Sequence, residues 1–147
     1  MNPIEAYLRD LHLVRSTGAG QPETSFYPAL ENLLNEIGKG LKPKVRCVMG
    51  LKDLGAGFPD GGLFTPDQFQ KSSADPLPDQ LPSRGVIEAK PPSDDAWVTA
   101  QGEQVTRYWG TDRTVLVTNC RDFVLVGRDA EGSRNGGPAW TAVSFGA

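Results

Sequence analysis

An apolar run bounded by charge occurs at residues 84–90, which read Arg84-Gly85-Val86-Ile87-Glu88-Ala89-Lys90. Its β-branched residues, and the two prolines that follow, predict a strand that ends at Lys90. Because side chains alternate between the faces of a strand, Glu88 and Lys90 share one face, about 7 Å apart along the strand. Burying either charge is costly unless it is paired or coordinated, so the two are either a structural ion pair or part of a site.

A second charged position precedes another predicted strand. Gly57-Phe58-Pro59-Asp60 leads into a strand expected at residues 60–65, with glycines after Asp60 that allow close approach of a ligand or another segment. Taken alone, Asp60 is an ordinary turn aspartate. Combined with Glu88 and Lys90, it completes a Pro-Asp…Glu-x-Lys pattern in which each member lies at the start or end of a predicted strand.

This combination has a coherent chemistry. The carboxylates of Asp60 and Glu88, with the backbone carbonyl of Ala89, would form an oxygen cage of the kind that Mg²⁺ prefers. Such a cation would neutralise a phosphodiester and lower the pKa of a bound water. Lys90 would orient or deprotonate the attacking water, or stabilise the pentavalent phosphate.

The remaining pattern predicts an α/β fold. Apolar residues at helical spacing predict helices over about 3–15, 26–37 and 96–109, and apolar runs predict further strands at 45–51, 114–118 and 123–126. This order predicts a mixed central sheet of about five strands flanked by helices. Residues 66–82, which contain four prolines, are expected to form an exposed loop, and the Gly-rich tail after residue 128 is expected to be weakly structured.

Composition excludes several classes of protein. The 147 residues suit one domain, and no apolar run has the length of about 20 residues that a membrane span needs. The N-terminus lacks the features of a secretory signal, and Cys47 and Cys120 form no CxxC, so a reducing cytoplasm is expected. A single histidine, His12, rules out a His-rich metal site, and no P-loop motif occurs.

Charge is unevenly distributed along the chain, although the net charge is only −3. Residues 39–52 carry five basic residues and no acid, whereas residues 67–95 carry six acids and three bases. This distribution fits a metal site beside a phosphate-binding surface, or simply a mixed, solvated surface.

The order of these segments resembles the PD-(D/E)XK nuclease superfamily. More narrowly, it is similar to the N-terminal nuclease domain of single-chain restriction–modification enzymes of types IIG and ISP. The resemblance extends from about Glu23 to Gly127. It rests on the helix-opening segment 23–30, on Gly57-Phe58-Pro59-Asp60, on Val86-Ile87-Glu88-Ala89-Lys90-Pro91, on Gln104-Val105-Thr106-Arg107-Tyr108 and on Leu116-Val117-Thr118-Asn119 with Asp122-Phe123.

The resemblance implies roles for individual residues. Asp60, Glu88 and Lys90 would be catalytic, with Mg²⁺ as the cofactor and Mn²⁺ as a substitute. Gln104, in the position of the family's Q-x-x-x-Y element, would support the site, or it is a helix-surface amide. An acid of the first family helix often assists the metal, and Glu23 is the first candidate and Glu31 the second.

The resemblance also implies partners and a domain arrangement. Residues 1–22 would be an N-terminal helix and linker, 23–128 the nuclease domain, and 129–147 a tail leading into a methyltransferase region. The partners would be double-stranded DNA, methyltransferase and target-recognition domains in the same longer chain, and a second copy in a transient dimer on DNA. No NPPY-type methyltransferase motif occurs in these 147 residues. Two alternatives to a restriction nuclease stay open, namely a catalytically silent DNA- or protein-binding module and a repair or junction nuclease.

Overall fold

The computed structural model describes residues 2–16, 23–54, 57–71, 75–77, 80–105, 107, 114–128 and 138–144. Its α-helices are α1 (Pro3–Ser16), α2 (Tyr27–Gly38) and α3 (Ala96–Ala100), with further helical residues at 103–105. Its strands are β1 (Arg46–Met49), β2 (Gly61–Phe64), β3 (Gly85–Ala89), β4 (Val115–Thr118), β5 (Asp122–Arg128) and β6 (Pro138–Ser144).

The strands form one mixed sheet whose spatial order follows the chain, β1-β2-β3-β4-β5-β6. Neighbours are antiparallel except β3 and β4, which are parallel. The parallel pair needs a crossover, and α3 lies in that connection, as parallel pairing requires. The predicted α/β fold with a mixed sheet and flanking helices is therefore confirmed.

Successive side chains of β3 point to opposite faces of the sheet, so this strand contributes to the core on both faces. Val86 packs in a valine-rich cluster with Val115, Val117 and α3, whereas Ala89 packs against α1 and α2 on the opposite face. Glu88 thus shares the face of Val86, as the period of two requires. The Glu88 side chain lies near the end of β3, and the other residues of this strand are buried too.

The structure differs from the expectations at three places. Strand β6 pairs along the full length of β5, although the sequence predicts a weakly structured tail after residue 128, and residues 129–137 and 145–147 of that tail lie outside the described part. The helix expected at 96–109 is interrupted at Gln101 and Gly102, because glycine is a poor helix former. The expected exposed loop at 66–82 is partly packed, since Gln68 and Phe69 are buried.

Cys47 and Cys120 are both buried, and neither forms a disulfide. Among the described residues, no helix combines the length and the apolar character that crossing a membrane would take.

Candidate active site

Asp60 lies directly before β2 and is fully buried. Its backbone carbonyl accepts hydrogen bonds from the N–H groups of Gly50 (2.7 Å) and Leu51 (3.1 Å), which tie it to the end of β1. Its carboxylate accepts one hydrogen bond at each oxygen, from the Tyr27 hydroxyl to Oδ1 (3.0 Å) and from the Ala89 N–H to Oδ2 (2.9 Å). These bonds satisfy a buried charge and fix its orientation.

Glu88 is brought to the same end of the β2–β3 pair. Gly61 is opposite Ile87, so the next positions along the antiparallel strands are Asp60 and Glu88. The Glu88 side chain is 1 % exposed, and within the described ranges its Oε2 accepts no hydrogen bond. Its one recorded partner there is the Lys90 ammonium, which forms an ion pair at 3.2 Å from Oε1.

This environment raises the pKa of Glu88. Burial is the largest cause, and the nearby Asp60 carboxylate adds to it, while Lys90 and Lys52 act in the opposite direction. A buried carboxylate with free lone pairs is costly unless a cation or a proton compensates it. The position therefore suits either a bound cation or a proton.

A second lysine, Lys52, reaches the acidic pair. Its Nζ lies 3.6 Å from Asp60 Oδ1, and its side chain is 55 % exposed, against 29 % for Lys90. Sequence reasoning did not assign Lys52 or Tyr27 to the site. Lys52 belongs to the basic run 39–52 and Tyr27 to the helix-opening segment 23–30, but only the packing of these segments brings them to Asp60.

Whether Glu31 or Glu23 assists the metal stays a prediction. The Glu31 carboxylate accepts a hydrogen bond from the Met49 N–H on β1 (3.0 Å). The side chain of Glu23 is outside the described part, although its backbone begins a 3₁₀ turn, Glu23–Phe26. Gln104 is half-buried in the helical residues 103–105, beside Val105 of the core, and its role stays a prediction.

The residues present fit a hard divalent cation with few protein ligands. In the described part of the chain, no group of three or more His, Cys, Asp or Glu side chains could hold a metal. Asp60 and Glu88 are two carboxylates, and Oε2 of Glu88 has no hydrogen-bond donor among the described residues. Mg²⁺ characteristically uses one or two carboxylates and completes its shell with water and substrate phosphate, so this donor set is sufficient.

Comparisons with known proteins add one finding. Neither a family profile nor a curated sequence matches the chain. The fold is similar to a segment of a DrdV complex. A cryo-EM structure of DrdV with DNA matches 99 % of this chain with a TM-score of 0.63 and 18 % identity. The match covers 12 % of the longer chain, and at this identity it shows a shared fold.

Proposed function

We propose that this chain is a metal-dependent DNA endonuclease domain that hydrolyses phosphodiester bonds as the cleavage part of a restriction–modification enzyme in phage defence. The observation that carries the proposal is the buried Glu88 carboxylate, which lies next to Asp60 with the Lys90 ammonium 3.2 Å from Oε1 and with no hydrogen bond to Oε2 from the described residues. A simple structural ion pair leaves that lone-pair capacity without use, whereas a cation would use it.

Each residue has a distinct role in the proposed reaction. Asp60, Glu88 and the Ala89 carbonyl would hold Mg²⁺, which supplies charge neutralisation and an acidified water when bound. Tyr27 and the Ala89 N–H hold the Asp60 carboxylate in one orientation. The Lys90 ammonium donates to the attacking water or to a non-bridging phosphate oxygen, where negative charge accumulates in the transition state.

DNA as the substrate is supported by the structural likeness. The similar segment belongs to a protein studied in complex with DNA, and it makes up a small part of that chain. We therefore propose methyltransferase and target-recognition domains in one longer chain with this domain. Cleavage of both strands requires two sites, so we also propose a transient dimer on DNA.

The test is cleavage of unmethylated duplex DNA with Mg²⁺ or Mn²⁺. We expect the variants Asp60→Asn, Glu88→Gln and Lys90→Met each to lose at least about 100-fold in rate, with EDTA abolishing activity of the parent. Lys39→Met is the charge-matched control for Lys90, since Lys39 pairs with Glu36 on the surface. Cleavage by the three site variants at the parental rate would contradict the proposal.

A catalytically silent binding module is the second candidate. It is favoured by the ion pair between Lys52 and Asp60, which compensates the aspartate without a metal. Calorimetric titration with Mn²⁺ separates the two functions, because a silent module would retain affinity for DNA and bind no Mn²⁺ at millimolar concentration. Parallel assays on methylated and branched duplexes distinguish a restriction nuclease from a repair or junction nuclease.

A further inference from the structure

Lys52 faces the acidic pair from outside the Pro-Asp…Glu-x-Lys pattern. It lies in a 3₁₀ turn, Leu51–Leu54, with its Nζ 3.6 Å from Asp60 Oδ1. The backbone of this turn is tied to the site, because the N–H groups of Gly50 and Leu51 both donate to the Asp60 carbonyl. Leu51 is itself buried. The turn therefore holds the Lys52 ammonium beside Asp60 although the side chain is largely exposed.

The charges of the site cancel when all four groups are ionised. Lys90 pairs with Glu88 and Lys52 pairs with Asp60. A divalent cation that approaches the two carboxylates would meet two ammonium groups, and their repulsion opposes its binding. The Lys52 ammonium can move away from its carboxylate more easily than the Lys90 ammonium can, because the Lys52 side chain is 55 % exposed and that of Lys90 is 29 % exposed.

We infer that Lys52 exchanges partners during DNA binding. In the metal-free chain its ammonium compensates Asp60, and when the divalent cation takes that carboxylate, the ammonium moves to a phosphate of the DNA. The inference rests on the proposed function, since it requires both the cation and the DNA. Because the phosphate removes the ammonium from the carboxylate, cation binding and DNA binding favour each other by the same factor.

The test compares Lys52→Met with Lys39→Met in the otherwise intact chain. Both variants lose one positive charge, but Lys39 is paired with Glu36 on the surface. In calorimetry with Mn²⁺ alone, we expect Lys52→Met to bind about fivefold more tightly than the parent, and Lys39→Met to change by less than about twofold. On a labelled DNA duplex in Ca²⁺, we expect Lys52→Met to bind about fivefold more weakly than Lys39→Met.

The outcomes separate this inference from the proposed function. Equal Mn²⁺ affinities of Lys52→Met and the parent would overturn the inference and leave the proposed function standing. If Lys52→Met binds Mn²⁺ more tightly than the parent but binds the duplex as tightly as Lys39→Met does, the inferred move of the Lys52 ammonium to a DNA phosphate is overturned. Absence of Mn²⁺ binding by the parent and by Lys52→Met would overturn the proposed function, and the inference with it.

Discussion

Asp60 Oδ2 accepts a 2.9 Å hydrogen bond from the backbone N–H of Ala89. Ala89 lies between Glu88 and Lys90, so this bond fixes the aspartate to the middle of the Glu-x-Lys segment. It also leaves the position of the Asp60 carboxylate dependent on strand β3 rather than on a mobile loop. A site supported in this way by a strand is held more rigidly than one built on loops alone.

Tyr27 is expected to act as a positioning residue for Asp60. Tyr27→Phe removes the hydroxyl that donates to Oδ1, so we expect cleavage to fall about tenfold and the free energy of unfolding to fall by about 1–2 kcal/mol. Cleavage kinetics and urea denaturation measure the two effects.

Tyr7→Phe is the matched control for this prediction. It removes a buried hydroxyl that donates to the Cys120 carbonyl and not to Asp60. It should lower stability by a similar amount and leave cleavage unchanged. Equal cleavage by Tyr27→Phe and Tyr7→Phe would show that the Tyr27 bond is structural only.

Glu88 is expected to reduce stability at neutral pH in the absence of metal. Its pKa is raised in the folded chain, mainly by burial and secondly by Asp60, so the folded state binds this proton more tightly than the unfolded state does. The stabilising contribution of the protonated group is therefore complete below the unfolded pKa and is lost as pH rises through the folded pKa.

The measurement is urea unfolding of the parent and Glu88→Gln across acidic to neutral pH in EDTA. We expect the variant to be the more stable chain at neutral pH, with the difference shrinking as pH falls. Glu36→Gln, which changes an exposed glutamate, should follow the parent closely. A parent that is more stable than Glu88→Gln at neutral pH, with the advantage lost on acidification, would contradict a raised pKa.

Asn35 is expected to protect the free edge of the sheet. From α2 its side chain donates to the Cys47 carbonyl (3.2 Å) and accepts from the Cys47 N–H (2.8 Å) on the outer strand β1. Asn35→Ala should lower the free energy of unfolding by about 2 kcal/mol, because two half-buried hydrogen bonds are lost. Glu36→Ala, the neighbouring exposed position of the same helix, should cost less than about 1 kcal/mol. Equal denaturation midpoints for the two variants would refute this role.

Gln68 is expected to organise the segment between β2 and β3. Its side-chain carbonyl accepts from Ser83 Oγ (2.6 Å) and from the Thr65 N–H (3.1 Å), and its amide donates to the Leu81 carbonyl (2.7 Å). Gln68→Ala should cost about 1–3 kcal/mol and speed proteolysis within residues 66–82. Gln70→Ala, at an exposed position of the same segment, serves as the control. Identical proteolysis rates for these two variants would argue against the role.

The pairing of Glu88 with Asp60 and with Lys90 could be anticipated from sequence, whereas the contacts of Tyr27 and Lys52 with Asp60 could not. A residue before one strand and a residue near the end of its antiparallel neighbour meet whenever the two strands pair in that register. The contact of Tyr27 with Asp60 spans 33 residues and depends on how α2 packs against the sheet. Lys52 likewise reaches Asp60 because the Asp60 carbonyl ties down its turn.

Strand β6 is another element that depends on tertiary contacts more than on its local sequence. Its sequence, Pro138–Ser144, follows a Gly-rich stretch and carries little periodicity, so its local propensity is weak. Pairing with all seven residues of β5 supplies the missing stabilisation. Strand β6 therefore forms because its backbone pairs with β5, although its own β propensity is weak. The packing of Phe69 against Phe64, in a segment that contains four prolines, has the same origin.

The proposed function requires that Asp60 and Glu88 together hold a divalent cation. Crystals grown or soaked with Mn²⁺, measured for anomalous scattering, test it most directly. We expect a Mn²⁺ peak at about 2.0–2.3 Å from a carboxylate oxygen of each residue, and loss of that peak in Asp60→Asn. A peak coordinated by neither carboxylate, or no peak at millimolar Mn²⁺, would contradict it.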